Sequence, residues 1–391
     1  MLAVILLAQI PFIYRRYQTG KLAQKIAASL TGRPVHSDPN FNEYKGIIHA
    51  HTNLGGHSTG TFDELIAAAN SNDLDFVLMT EHYTDAFDTS ALTLNGLFGK
   101  TLFVGGNEVE TADSDRFLMI PGSAEAAGFR KGPTAAFLEK VHPENKIAFV
   151  TYPEKFKSWD SNFDGIEVFS LHTSAKSINP LTGLFDLVWS YPAYPELTLA
   201  SYFKRPDANL QKFDEISAKR KISLFAGNDA HSNIGFHLFG DDAGNKLIDF
   251  KIDPYETIFR LARAHVLIEK DKSLTRENLI DALRIGRYFV GFDVLGDTSG
   301  FQFFAGYGQG FGFMGEEISL GHNLMLKASS PIPARFVIFR NGEKAASSES
   351  SAEFSYVPTE AGTYRVEVYL DQLGPPFDKM PWIISNPIYV R

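Results

Sequence analysis

Leu74–His82 reads LDFVLMTEH, in which an apolar run leads directly into a glutamate and a histidine. A short apolar run of this kind predicts a strand that is buried on both faces, which is typical of parallel sheets. Three other stretches have the same form: Ile47–His51 (IIHAH), Phe103–Glu108 (FVGGNE) and Phe225–His231 (FAGNDAH). The sequence therefore predicts several buried strands that each end in metal-binding side chains.

From Tyr44 to about Gly291, β-rich runs alternate with helical stretches, which is the pattern of a parallel α/β architecture. Thr61 and Glu64 have the spacing of a capping box and predict the start of a helix, and a last helix is predicted over Asn278–Arg284. The predicted strands are Gly46–His51, Asp75–Thr80, Thr101–Gly105, Ile147–Thr151, Gly165–Phe169, Ile222–Ala226 and Arg287–Gly291.

The C-terminal part of the chain has a different sequence pattern, which predicts strands and turns in place of helices. Asn341-Gly342 between two strand-like runs predicts a hairpin with a type I′ turn, and residues 363–370 alternate so as to predict a strand with one buried face. We therefore divide the chain into an N-terminal apolar segment and linker (1–43), an α/β domain (44–295) and a small β-sandwich (296–391).

Composition narrows the classes of function. The chain has 391 residues, a formal net charge of -9 and no cysteine. Because an acidic chain is poorly suited to a long phosphate backbone, we do not expect binding to long nucleic acids. Without thiolates, any metal must be held by histidines and carboxylates.

The N-terminus has two interpretations. Leu2–Tyr14 is apolar apart from Gln9 and is followed by Arg15 and Arg16. A bilayer span needs about 20 apolar residues, so this segment is short for one. It is either part of a membrane anchor, with membrane association through residues 2–14, or an ordinary buried helix or strand. The location of the protein stays open, and a membrane-anchored or extracytoplasmic location is one interpretation.

The strand ends are where the chemistry is expected. His49 and His51 lie two residues apart, as do Asp229 and His231, so each pair shares one face of its strand. The carboxyl ends of parallel barrel strands open on one face, and residues far apart in sequence can therefore meet there. Each motif alone is weak, but four strands with such side chains at the same end indicate a metal site.

This series of motifs resembles the polymerase-and-histidinol-phosphatase (PHP) family of metal-dependent phosphoesterases, and in particular its stand-alone members with a C-terminal β-sandwich. The resemblance covers about Tyr44 to Gly291, and it implies a distorted (β/α)7 TIM-like barrel. The motifs that carry it are His49–Thr52 (HAHT), Leu74–His82, Gly106–Glu108 (GNE) and Gly227–His231 (GNDAH).

The resemblance also implies roles for individual residues. The ligands of one ion would be His49, His51, Glu108 and Asp229, and those of another His57, His82 and His231. Glu108, Asp229 and His231 are the residues that would be catalytic.

Two departures from the family pattern lower the expected number of ions from three to two. Tyr152 stands where a histidine ligand is expected, and Arg116 falls where a second one is expected. Arg116, Tyr152 and His172 are therefore candidates for contact with substrate. In this interpretation the Arg116 fork takes over part of the charge of the lost ion and binds phosphate oxygens.

The resemblance implies a divalent-metal-dependent hydrolase that uses a metal-activated water, with a small-molecule phosphoester as the first substrate class. Zinc, manganese and iron all suit histidine and carboxylate ligands. One alternative is a metal-dependent carboxylester or carbamate hydrolase, and another is a non-catalytic binding module with a degraded metal site. Gly56–Gly60 (GHSTG) matches the G-x-S-x-G pattern of serine hydrolases but does not directly follow the predicted strand, as that mechanism requires.

Overall fold

The computed structural model describes residues 2–31, 38–176, 178–240, 246–307 and 310–391. The chain forms two compact units, and each is assembled from separate stretches of sequence. Unit 1 consists of Met1–Glu43, Leu171–Ser223 and Ile285–Arg391, and unit 2 of Tyr44–Ser170 and Leu224–Arg284. The predicted mixed α/β class is confirmed, and so is a β-rich C-terminal region.

The helices and strands follow one another along the whole chain. The helices are α1 (Leu2–Leu30), α2 (Phe62–Ser71), α3 (Thr89–Leu92), α4 (Ala126–Phe129), α5 (Thr134–Val141), α6 (Leu171–Lys176), α7 (Pro180–Trp189), α8 (Pro195–Ala200), α9 (Asp207–Ser217), α10 (Tyr255–Ile258) and α11 (Arg276–Ile285). The strands are β1 (Phe41–Ala50), β2 (Phe76–Met79), β3 (Glu81–His82), β4 (Gly96–Phe98), β5 (Thr101–Val104), β6 (Asn107–Glu110), β7 (Arg116–Ile120), β8 (Ile147–Thr151), β9 (Gly165–Ser170), β10 (Ser223–Gly227), β11 (Gly235–Gly240), β12 (Lys246–Lys251), β13 (Arg263–Glu269), β14 (Tyr288–Gly291), β15 (Gln302–Tyr307), β16 (Gly310–Phe313), β17 (Glu317–Ile318), β18 (Met325–Arg340), β19 (Glu343–Tyr356), β20 (Gly362–Tyr369), β21 (Ile383–Ser385) and β22 (Ile388–Val390).

Unit 2 contains two runs of hydrogen-bonded strands. One has the order β13-β1-β2-β5-β4, and the other has the order β10-β9-β8-β7-β6-β3. The pairs β1–β2, β2–β5, β3–β6 and β8–β9 are parallel, whereas β7 is antiparallel to both of its neighbours. Apolar side chains from these strands and from α2 and α5 form the core of the unit.

The local predictions for unit 2 are largely confirmed. Thr61 and Glu64 form both reciprocal bonds of a capping box at the start of α2. The predicted strands match β1, β2, β5, β8, β9 and β10 to within a few residues at each end. The prediction missed the β6–β7 hairpin, because Gly105-Gly106 and Asp113–Asp115 look like loop sequence, and it also missed β13.

Unit 1 contains a sheet with the strand order β16-β15-β18-β20-β21-β14, to which β19 adds through β18 and β22 through β20. The hairpin prediction is confirmed, since Arg340 pairs with Glu343 and both turn residues have positive φ, 50° at Asn341 and 86° at Gly342. The prediction of one buried face in β20 is wrong, because all eight residues are buried. The second face is buried because its charged residues form ion pairs, in which Arg365 donates to Asp214 and Glu367.

The N-terminal segment is helical. α1 covers the whole predicted apolar stretch and continues for four more turns. Arg15 binds Asp186 of α7 through both Nε, at 3.0 Å, and Nη2, at 2.5 Å. Among the helices that the structure describes, none combines the length and apolarity that a membrane span needs.

Candidate metal centre

His49, in β1, and His51, directly after it, reach the same place through a distortion of the strand. The parallel register with β2 shifts between Ile48 and Ala50, and His49 has a left-handed φ of 76°. The backbone then continues as an extended pairing with the segment after β10, since Ala230 N donates to His49 O and His51 N donates to Ala230 O. Both imidazoles are fully buried, with ring centroids 5.0 Å apart.

Two buried carboxylates face these histidines. Glu108 Oε2 lies 3.3 Å from His49 Nε2 and 3.5 Å from His51 Nε2. Asp229 Oδ1 lies 3.2 Å and 3.3 Å from the same two atoms. Glu108 does not lie at the end of β5, where the sequence placed it, but in β6, which pairs in parallel with β3 and so brings Glu108 opposite His82.

These four side chains form a group that is able to hold a metal ion, with one ligand atom each and all four atoms within 4.8 Å of one another. Hydrogen bonding gives the strongest argument that this group suits a cation. His51 Nδ1 and Nε2 and Asp229 Oδ1 are buried and have no hydrogen-bond partner among the described residues. Buried polar atoms are otherwise almost always paired, so this donor set fits a divalent cation.

A second group shares His51 with the first. It consists of His51, His82 and His231, whose ligand nitrogens also lie within 4.8 Å of one another. The ring centroid of His51 lies 4.6 Å from that of His82 and 4.4 Å from that of His231, and the latter two are 6.2 Å apart. His57 does not belong to this group but lies next to it, with its ring centroid 4.8 Å from that of His82.

The electrostatics of the site suit a cation. Burial lowers the pKa of His51 to about 3, so its imidazole is neutral near pH 7, as a metal ligand must be. Burial alone would raise the pKa of Glu108, but the neighbouring His49 lowers it to about 2. Burial likewise opposes ionisation of Asp229, and His49 and His51 still hold its pKa well below the usual range. Both carboxylates are therefore ionised in a region from which water is excluded.

His49 lies among carboxylates that favour its protonated form. Burial lowers its pKa, but the carboxylates of Asp229 and Glu167 outweigh that effect and raise the pKa well above the usual value. A cation bound by His49, Glu108 and Asp229 would displace a proton from His49, and we therefore expect metal binding to release protons.

Glu167 of β9 is a residue of the candidate site that the sequence analysis missed. Its Oε1 lies 3.0 Å from His49 Nδ1, so the opposite ring nitrogen points at Glu108 and Asp229. Thr151 donates to the other oxygen of the carboxylate and holds it in place. Gly227 leaves the space for it, since a Cβ there would lie 1.5 Å from Glu167 Oε1. A glutamate inside a strand that is otherwise buried and apolar was the available signal.

Tyr152 and Arg116, the two departures from the family pattern, both reach the site. Tyr152 donates from its hydroxyl to Asp229 Oδ2 at 2.8 Å. Arg116 Nη1 lies 3.4 Å from Glu108 Oε1, and its guanidinium lies over the Tyr152 ring at 5.3 Å. Burial and the charges of Asp229 and Glu108 raise the pKa of Tyr152 well above the usual range, so its hydroxyl stays a donor. Arg116 heads the antiparallel β7, which places its half-exposed side chain beside the metal-binding group.

Backbone strain marks the same place. Besides His49, Tyr152 and Asp229 have left-handed φ values of 50° and 45°. Such conformations are uncommon for residues other than glycine, and they persist where surrounding structure enforces them, often at functional sites. Three of the residues that form the group or touch it are therefore held in place at a cost to the backbone.

His172, the remaining candidate for substrate contact, belongs to unit 1. It lies in α6, is half-buried, and is a member of neither metal-binding group. Ser58 of the G-x-S-x-G match donates its hydroxyl to the carbonyl of His231 and so helps to fix the loop that carries this histidine.

Comparisons with known proteins were made at the level of sequence and of fold. No family model matches the chain, and no curated protein sequence matches it significantly. A crystal structure of PsfC from Pseudomonas syringae PB-5123 is similar at 12% identity and a TM-score of 0.32, over 61% of this chain and 88% of that chain. At this TM-score the similarity says nothing about the fold or function of the present protein.

Proposed function

We propose that the protein is a divalent-metal-dependent hydrolase that acts on a small-molecule phosphoester. The observation that carries the proposal is the buried group of His49, His51, Glu108 and Asp229, in which both nitrogens of His51 and one oxygen of Asp229 lack a hydrogen-bond partner among the described residues. The resemblance of the same motifs to the PHP family supports the choice of chemistry.

We propose further that the strands of unit 2 form a distorted seven-stranded barrel. The order β10-β9-β8-β7-β6-β3 continues into β2, since only Thr80 separates β3 from β2, and β2 pairs with β1. Backbone bonds from the segment after β10 return to β1: Asn228 N donates to Ile48 O and Ala230 N to His49 O. A ring of β1, β2/β3, β6, β7, β8, β9 and β10 accounts for these contacts and matches the barrel that the resemblance implies.

Two ions are proposed, one at each group. His49, His51, Glu108 and Asp229 would hold one, and His82 and His231, with His51 or the adjacent His57, would hold the other. Zinc, manganese and iron suit these ligands. Such ions acidify a water molecule and polarise the scissile ester.

The remaining residues hold the ligands in position. Glu167 fixes the orientation of His49, and Tyr152 fixes Asp229 with Oδ1 toward the group. Outer contacts of this kind set the tautomer and direction of metal ligands.

Arg116 is the reason to prefer a phosphoester over a carboxylic ester or carbamate. Its side chain is 40% exposed, and Nη1 lies 3.4 Å from Glu108 Oε1. Nε and Nη2 contact Glu110 Oε2 at 3.2 and 3.1 Å, and because Glu110 is itself 40% exposed, a phosphate would compete with it for these two donors. A planar guanidinium fork matches two oxygens of a phosphate, whereas a neutral ester offers no comparable charge. Arg116 would thus bind the charged part of the substrate beside the ions.

Hydrolysis of p-nitrophenyl phosphate and bis(p-nitrophenyl) phosphate by the metal-stripped chain, before and after addition of zinc, manganese or iron, tests the proposal. We expect activity only with metal, and a loss of at least about 100-fold in His51→Ala and Asp229→Asn. His322→Ala is the matched control, because His322 is exposed and far from these motifs in sequence.

Each other outcome contradicts the proposal in a different way. Activity that survives metal removal and disappears in Ser58→Ala indicates a serine hydrolase. Metal-dependent cleavage of p-nitrophenyl acetate without cleavage of either phosphoester indicates the ester hydrolase. A chain that binds metal and cleaves none of these substrates indicates a binding module.

A further inference from the structure

The first helix of unit 1 carries an apolar stripe that faces solvent. Leu7, Ile10, Ile13 and Tyr17 are all exposed, Leu7 to 63%, and they recur every three or four residues. Residues at this spacing lie on one side of a helix. An exposed row of large apolar side chains marks an interaction surface more often than it marks ordinary solvent-facing helix.

The same helix is basic, in contrast to the rest of the protein. α1 contains Arg15, Arg16, Lys21 and Lys25 and no acidic residue, although the whole chain has a net charge of -9. Lys21 continues the apolar stripe, since its ammonium lies 4.6 Å from the centre of the Tyr17 ring one turn earlier. The helix therefore presents apolar side chains in its first half and cations in its second.

A cavity of about 490 Å³ opens beside the basic half of α1. Arg15, Lys21, Lys25 and Ser190 are among its lining residues. Ser190 is only 2% exposed, and its hydroxyl has no hydrogen-bond partner among the described residues. Asp186 also lines the cavity but is paired with Arg15, and the Lys25 ammonium donates to the carbonyl of Gln372. The two lysines and the unsatisfied hydroxyl are therefore the groups suited to an anionic group with several acceptor oxygens.

A neighbouring helix holds α1 in place and adds apolar surface. The Phe12 ring stacks on Phe185 of α7 at 4.4 Å, and the Arg15–Asp186 pair lies one turn further along. On α7, Leu181 and Val188 are exposed to 66% and 59%. α1 is thus anchored on its own unit by one side and leaves its apolar stripe uncovered on another.

We propose that α1 docks the protein on the surface of an anionic phospholipid membrane. The stripe from Leu7 to Tyr17 would enter the boundary between headgroups and acyl chains, and Lys21 and Lys25 would contact headgroup phosphates, one of which the cavity at Ser190 would accept. Apolar burial together with cations near the surface is the combination by which interfacial helices bind anionic lipids.

A second copy of the chain is a less suitable occupant of the stripe. Two copies of α1 that met through it in parallel would bring Lys21 and Lys25 of each close to those of the other, and like charges facing one another oppose association. In an antiparallel pair these lysines would lie beyond the apolar contact, and α1 has no acidic residue to pair with them. An anionic lipid surface instead complements both the apolar side chains and the cations.

Sedimentation of the full chain with vesicles tests the proposal, with phosphatidylcholine alone compared with phosphatidylcholine mixed with phosphatidylglycerol. We expect binding to the mixed vesicles that weakens at high salt, and at least an approximately tenfold lower partition coefficient for both Ile10→Ser/Ile13→Ser and Lys21→Glu/Lys25→Glu. Leu92→Ser/Leu97→Ser and Lys131→Glu/Lys344→Glu are matched controls, because these residues are exposed but lie outside α1. We expect both controls to bind like the wild type.

Three results would overturn the proposal. Equal binding to neutral and anionic vesicles would exclude recognition of charged headgroups. Equal loss in the α1 variants and in their controls would show a general effect of polarity or charge. A dimer in light scattering that Ile10→Ser/Ile13→Ser dissociates, without vesicle binding by the wild type, would identify a second copy as the occupant.

Discussion

The contact between Glu167 and His49 gives the most specific test of how the metal-binding group is built. His49 Nδ1 and Glu167 Oε1 are 3.0 Å apart, and both side chains are almost fully buried, with exposures of 0% and 1%. Replacing an outer partner of a metal-binding histidine typically lowers metal affinity by about 10- to 100-fold, which equals roughly 1.4 to 2.7 kcal/mol. Glu167→Gln keeps an acceptor oxygen but loses the charge, and we therefore expect it to lower metal affinity by a factor near the lower limit of this range.

Glu167→Leu removes the acceptor as well. It leaves His49 Nδ1 and the Thr151 hydroxyl without their buried partner. We therefore expect a loss of metal affinity near the upper limit of that range, together with a lower free energy of unfolding. Competition with a fluorescent zinc chelator measures the affinity, and urea denaturation of the metal-free protein separates the loss of stability. Glu110→Gln is the control, because Glu110 is a half-exposed carboxylate that belongs to neither group. Wild-type zinc affinity in a folded Glu167→Leu variant would refute the orienting role.

Three further predictions concern other parts of the protein. Gly227→Ala should lower zinc affinity by about 10- to 100-fold in the chelator assay, because its Cβ would occupy the position of Glu167 Oε1 at 1.5 Å, and an unchanged affinity would contradict this. Arg116→Gln should lower kcat/KM for p-nitrophenyl phosphate by roughly 10- to 100-fold, because the substrate would lose one charge-assisted hydrogen bond. An unchanged kcat/KM would show that Arg116 does not bind the substrate. Burial opposes ionisation of Glu367, but Arg365 and Arg205 lower its pKa to about 2, so its contribution to stability is present above the ordinary pKa and is lost as the pH falls through 2. The difference in free energy of unfolding between wild type and Glu367→Gln should therefore shrink by on the order of 3 kcal/mol from pH 6 to pH 2 in denaturant titrations, and a constant difference would contradict the ion pairing.

The position of the metal-binding side chains near strand ends could be predicted from the sequence because each follows a short apolar run, whereas their division into ligand sets rested on the resemblance to the PHP family. The run of apolar residues that indicates a buried strand is a local property of the sequence, and so the strands around His49 and His82 could be predicted to within a few residues. The bulge at His49 could not be predicted, since it depends on pairing with Ala230 far along the chain. The role of Glu167 is likewise set by a partner 118 residues away.

The second buried face of β20 shows the same limit in unit 1. Polar residues that alternate with apolar ones normally face solvent, and Arg365 and Glu367 follow that pattern. They are buried because Asp214 of α9 and Arg205 supply opposite charges. A charged residue is buried only where an oppositely charged partner lies next to it in the fold, and the local sequence pattern does not indicate that partner.

Elemental analysis of the purified full chain tests the central claim most directly. We expect about two divalent ions per chain after reconstitution with zinc or manganese and dialysis, with a clear loss in His51→Ala, which belongs to both groups, and none in His322→Ala. A wild-type chain that retains no divalent ion, or a His51→Ala variant that retains as many ions as the wild type, would contradict the metal centre.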